Sequence, residues 1–165
     1  MISIVSRFPA WRKLARGLKT QEFRQAALKA AAAEAEKLVL MGFRKSVDPY
    51  GKPWEPLRLR KGKPLQLTGR LRSSFSARPR GPKSIRVGTN VGYAPTHQYG
   101  AEIVPVNAKR LAFKVKGRKG MFFAKKVTIP AREMLPKRGL PQQWRKSLSR
   151  AMALSVQRKI KEAKR

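Results

Sequence analysis

His97 is the single histidine of the chain, and Asp48, Glu55 or Glu102 would have to orient it if it served as a general base. Acid–base hydrolysis needs such a pair held within hydrogen-bond reach of a nucleophile or a water. The sequence offers no nucleophile elbow and no convincing pair of catalytic acids. In Thr96-His97-Gln98-Tyr99-Gly100 the histidine lies among aromatic and small residues, the setting of a packed or interface imidazole. A two-metal nuclease requires clustered carboxylates, and the eight acids here are mostly dispersed. Gly81, Gly88, Gly92 and Gly100 match neither phosphate-loop nor dinucleotide-loop spacing. With no cysteine and one histidine, disulfides, thiolate metal sites and multi-imidazole zinc sites are excluded. The expectation is a protein that is not an enzyme and carries no cofactor or metal.

Charge is the stronger signal. Forty lysines and arginines stand against eight acids in 165 residues, a formal net charge of +32. Small isolated domains usually carry about 2–8 net charges. Self-repulsion on this scale opposes compaction unless counter-charge is supplied from outside. Between Glu55 and Glu133 the only acid is Glu102. Nucleic acid is the default polyanion, since every phosphate neutralised releases condensed counterions. Zinc-finger, RNA-recognition and helix-turn-helix signatures are absent, so contact by charge and shape with a backbone is expected rather than sequence readout.

Cysteine's absence fits a reducing cytoplasm. The apolar start before Ser6 and Arg7 is too short for a signal-peptide core, and no run approaches the ~18–20 apolar residues of a membrane span. At 41% apolar residues the chain can bury a core.

The elements follow from periodicity. Residues 1–19 form a basic N-terminal arm in which Phe8, Trp11, Leu14 and Leu18 share a helical spacing. Thr20 to about Arg44 reads as a long helix capped by Thr20, with Leu28, Ala31, Ala32, Ala35, Leu38 and Val39 on one stripe. Two prolines and Gly51 force a turn through residues 46–54, where Asp48 is an Asx-type turn former. Arg58, Arg60, Lys61 and Lys63 then make a basic loop, and Thr68 caps a short turn carrying Leu71.

Pro79-Arg80-Gly81-Pro82 reads as a break. Strand periodicity then appears over 84–88, ending in turn chemistry at Thr89-Asn90. A short helix or turn ends at Gly100, and strands are expected near 103–106, 111–115 and 121–129. Gly117-Arg118-Lys119-Gly120 makes a basic hairpin tip, either a finger into a groove or a solvated turn. A last helix, about Gln142 to Ala163, has Trp144, Leu148, Met152, Val156 and Ile160 on a loosely apolar side. The fold class is therefore α+β: a long N-terminal helix and a C-terminal helix packed on a small antiparallel sheet.

Several segments in order carry a resemblance: 48–57 (Asp-Pro-Tyr-Gly-Lys-Pro-Trp-Glu-Pro-Leu), 67–74, 87–90, Tyr93-Ala94, 97–100 and Ile129-Pro130-Ala131-Arg132. Together they resemble the tailed-phage virion morphogenesis family, which includes Mu G-like and P2 S-like tail completion proteins. The likeness spans about residues 20–135, leaving 136–165 as a basic C-terminal helix; Glu133-Met134 intervene here before Leu135, where the family places an aromatic or leucine.

The resemblance implies a structural neck component, assembled in the host cytoplasm and resident in the virion. It would be a ring, hexameric to match tail symmetry, that joins the tail to the connector around the DNA passage. Implied partners are further copies of the chain, the connector, and the tail tube or terminator proteins, with non-specific contact to phage DNA and no membrane. The alternative is a non-specific nucleic-acid-binding protein of ribosomal or nucleoid type. The motif residues carry structural roles: Trp54, Leu67 and Leu71 anchor loops to the core. Candidates to face DNA or an acidic partner are Arg58, Arg60, Lys61, Lys63, Arg118, Lys119, Arg145 and Arg158. Candidates for subunit contact are Trp11, His97, Tyr99 and Trp144.

Overall fold

The computed structural model describes residues 2–7 by their strand pairing, and residues 21–58, 61–115 and 119–163 in full. Thr20, the apolar positions 8–18, Arg60, and Gly117-Arg118 at the expected hairpin tip lie outside the described residues.

Gln21–Lys45 forms the 25-residue helix α1. Glu22 in its first turn and Arg44 and Lys45 in its last complement the helix dipole. Its inner face, Ala27, Leu28, Ala31, Ala32, Ala35, Val39 and Phe43, is buried along the whole length. The expected stripe is present, extended to Phe43. Alanines keep this face thin, and α1 is sandwiched between a sheet and the C-terminal helix.

The sheet has three strands in the order β1-β3-β2, all antiparallel: β1 (Ile2–Arg7), β2 (Ser76–Arg80) and β3 (Ser84–Thr89). Central β3 buries Ile85, Val87 and Thr89 alternately. Two features depart from the sequence reading. Residues 2–7 are a sheet strand, with Ile4 opposite Val87. Residues 76–80, read as leading into a break, form β2, with Pro79 opposite Ile85. Proline is tolerated there because β2 is an edge strand and needs no donor on its outer side. The strand ends at Thr89, whose buried hydroxyl bonds Ser74 Oγ at 2.6 Å and accepts from the Val91 N–H at 3.1 Å, the i, i+2 bond of the turn expected there.

Arg70–Ser73 is a single helical turn, α2, and its cap is Gly69 at φ 77°. Thr68 Oγ1 reaches the Arg70 N–H only at 3.4 Å, so Thr68 is not the cap. Ala94–Tyr99 forms α3, ending at Gly100 as expected. Two ribbons follow: β4 (Ala101–Ile103) pairs with β7 (Val127–Ile129), and β5 (Leu111–Phe113) pairs with β6 (Phe122–Ala124). The strand expected at 103–106 stops at Ile103, ahead of Pro105, which has no N–H for a ladder. The run expected over 121–129 is two strands, one for each ribbon.

Gln142–Ala163 forms the final helix, α4, whose buried residues are Trp144, Leu148, Met152 and Val156. These fall four apart, so the buried line drifts around the helix, as a crossing over α1 requires. The α+β class therefore holds, with α4 laid mainly on α1 and α1 laid on the sheet. Phe43 sits fully buried at the end of the sandwich, 5.4 Å from the Trp54 ring and 5.6 Å from Phe75 between centroids. No helix among the described residues is long and apolar enough to cross a membrane.

The helix sandwich carries most of the burial, so its side chains set stability. Leu148→Ala, at a fully buried site, is expected to lower unfolding free energy by about 2–5 kcal/mol. Leu154→Ala on the exposed part of the same helix should change it by less than about 1 kcal/mol. Chemical denaturation of both variants checks the contrast.

Candidate functional site

The motifs that are separate in sequence converge on one junction. At its base is the turn after α1. Asp48 Oδ1 accepts from the N–H groups of Tyr50 at 2.9 Å and Lys52 at 2.8 Å, as an Asx turn former does. Gly51, at φ 92°, closes the turn by donating to Asp48 O at 3.0 Å. The reversal delivers Trp54 into the core, where its indole N–H donates to Glu133 O at 2.9 Å.

Arg132 is the second tie. Its side chain is buried, and the guanidinium donates to Glu55 O at 2.9 Å and Pro56 O at 3.3 Å. Its own backbone N–H donates to His97 O at 2.6 Å. Gln98 is the third: its side chain is fully buried, its Nε2 donates to Leu135 O at 2.6 Å, and its Oε1 accepts from Met134 N at 2.8 Å and Leu135 N at 3.1 Å. One amide thus satisfies three backbone groups of a buried segment that has no ladder of its own.

Gly100 completes the junction. It lies at φ 76°, and a Cβ there would meet Ala131 N and Ile129 O, each at 3.1 Å. Strand β7 and the following Pro-Ala-Arg run can therefore pass directly against the end of α3.

His97 is half-buried within this frame, with Tyr93 edge-on at 5.9 Å between ring centroids. Burial, and then the positive charge of Arg132, push its pKa below the usual histidine value of 6.5. A general base paired with a carboxylate would be pushed the other way. The three acids considered as its partner are engaged elsewhere. Asp48 holds its turn, Glu55 bonds Arg58 at 2.6 Å, and Glu102 bonds Lys126 at 3.2 Å. His97 Nδ1 is buried with no hydrogen-bond partner among the described residues. Among those residues there is also no group of three or more His, Cys, Asp or Glu arranged to hold a metal.

The expected anion-facing bases belong to different elements. Arg58 is exposed but ion-paired with Glu55, and Lys63 Nζ donates to Arg44 O at 3.1 Å, closing the C-terminal end of α1. Lys61 and Lys119 are exposed, and Arg145 and Arg158 are exposed near opposite ends of α4. Arg118, like Arg60 and Trp11, falls outside the described residues.

Two anchor or contact assignments are corrected. Trp144 is 7% exposed and packs in the core with Leu148, so it is not a subunit contact; a tryptophan starting an i, i+4 apolar line is drawn inward. Leu67 is 51% exposed and anchors nothing, whereas Trp54 and Leu71 are buried as expected. Tyr99 is exposed, with Lys137 Nζ 4.6 Å above its ring.

Sequence reasoning missed the ribbons' state of burial. From Ala101 to Pro130 no described residue is buried, although the stretch holds Ile103, Val104, Val106, Met121 and Phe123. Val106 is 91% and Phe123 63% exposed. The signal was present as strands too short and too evenly apolar to hide both faces.

A helix sandwich tied by an Asp-Pro-x-Gly turn, an α3 glutamine and a buried arginine, with open apolar ribbons beside it, is the architecture to be placed. The family model for the phage virion morphogenesis family matches residues 10–157, and the chain belongs to that family. The match runs beyond the motif series into α4, which is therefore part of the family's common body. No curated protein and no solved structure matches the chain.

Two outcomes test the junction. Gln98→Met keeps side-chain volume but strands three buried backbone groups, and is expected to cost about 2–4 kcal/mol in denaturant unfolding. The lowered His97 pKa means the unfolded chain binds a proton near pH 6.5 while the folded chain stays neutral. Stability should fall as pH drops through and below that value, and His97→Gln should flatten this slope in thermal melts between about pH 7.5 and 5.5.

Proposed function

We propose that this virion morphogenesis protein is a non-catalytic building block of the neck, completing the tail and joining it to the connector. It would act as a ring around the DNA passage, hexameric to match tail symmetry. Its partners would be further copies of itself, the connector, and the tail tube or terminator proteins, with basic surfaces turned to DNA or an acidic neighbour.

One observation supports assembly above all: the 101–130 segment exposes large apolar side chains and buries none of its described residues. Two-stranded ribbons are marginal by themselves. Phe113 and Phe122 stack at 6.2 Å between centroids on one ribbon, but Phe123 is 63% exposed. Such surface is what a neighbouring subunit covers. Because the ribbons and the helix sandwich are different surfaces, a contact between them is heterologous, the kind that closes rings.

Light scattering of the isolated protein should show one discrete oligomer. Phe123→Glu should shift it to smaller species with little loss of subunit stability. Phage lacking the gene should yield heads and tails that fail to join. A concentration-independent monomer together with normal tailed virions from the deletion would refute the proposal. A freely diffusing nucleic-acid binder, the alternative, predicts that monomer.

A further inference from the structure

Helix α4 buries one side and leaves the opposite side to a line of bases. At about 100° per residue, Lys146, Arg150 and Lys161 fall within a stripe roughly 60° wide, centred opposite the buried Trp144–Val156 line. Their span is about 22 Å at ~1.5 Å rise per residue. All three are exposed, and none has an ion pair among the described residues. The single acid of α4, Glu162, is taken by Lys159 at 2.6 Å.

This arrangement is unfavourable for the helix alone. Lys146 and Arg150 repel as an i, i+4 like-charge pair. Lys146 also stands in the first turns, at the positive end of the dipole, where there is no acid. Other positions of the stripe are Gln143 and Gln157, both exposed amides able to donate hydrogen bonds.

We propose that this outer stripe of α4 is a binding site for the phosphate backbone of duplex DNA, independent of base sequence. An acidic protein is the less favoured partner because the stripe has no aromatic anchor, and lysine is depleted at the centres of protein interfaces. Lysine, arginine and glutamine side chains are instead the usual donors to phosphate oxygens. The inference gives a location to the DNA-facing surface of the proposed neck component, but its test does not require the ring.

Full-length protein and Lys146→Gln/Arg150→Gln/Lys161→Gln would be titrated by fluorescence anisotropy against a random-sequence duplex over a range of salt. A control, Lys52→Gln/Arg72→Gln/Lys83→Gln, removes equal charge from other exposed elements. The α4 variant should bind roughly tenfold to several hundredfold more weakly near 0.1 M salt. Its slope of log K against log salt should be shallower by about 2.7, from ~0.9 per phosphate contact. The control should lose less than about threefold. Circular dichroism and light scattering should show unchanged fold and oligomer. Equal losses in both variants would overturn the site in favour of undirected charge. Loss of poly-glutamate binding with duplex binding retained would overturn it in favour of an acidic protein, and absence of wild-type duplex binding at low salt would overturn it outright.

Discussion

The buried guanidinium of Arg132 and the buried amide of Gln98 tie residues 132–135 to the turn after α1 and to α3. Both work through backbone carbonyls and N–H groups. In a chain with eight acids, carboxylates are too few to serve every joint. A buried guanidinium is costly unless several hydrogen bonds satisfy it. Here the carbonyls of Glu55 and Pro56 lie where the Asp48 turn has placed them. The position of the turn, the reach of Trp54 to Glu133, and the approach of residues 133–135 to α3 depend on one another. Tyr50 extends the tie toward α4, accepting from Arg138 N at 2.8 Å and donating to Gly139 O at 3.1 Å.

Ion pairs, by contrast, lie mostly at the surface and are local. Among the described residues, the pairs Glu34–Lys37, Glu55–Arg58 and Lys159–Glu162 join residues three apart, and Glu133–Lys137 joins residues four apart. Exposed pairs of this kind are each worth little. The fold is therefore carried by the α1 and α4 apolar faces and the hydrogen-bonded junction, while most of the positive charge is left at the surface. That separation lets one molecule keep a conventional core and still present an unusually basic exterior.

Helices α1 and α4 were legible because their apolar positions recur with helical period over several turns, and β3 because it alternates. Strand β2 was hidden by Pro79, which reads as a breaker unless the strand is known to be an edge. Strand β1 was hidden because its pairing with β3 bridges some eighty residues and leaves no local trace. Asp48, Gly51 and Gly100 were readable as turn chemistry. Arg132 and Gln98 were not: one base among forty is inconspicuous, and partners that are backbone atoms have no side-chain signature. The loosely apolar side of α4 suggested a subunit edge at Trp144, whereas its line through Leu148 and Met152 lies in the core.

Membership of the phage virion morphogenesis family fits a molecule that keeps its apolar ribbons and the basic face of α4 outside the core. The most direct measurement is a reconstruction of the neck of intact virions by electron cryomicroscopy. The account predicts a closed ring of this chain between head and tail, with the 101–130 ribbons buried against neighbouring subunits. Density for the chain elsewhere in the particle, or a neck lacking it in complete virions, would contradict that account.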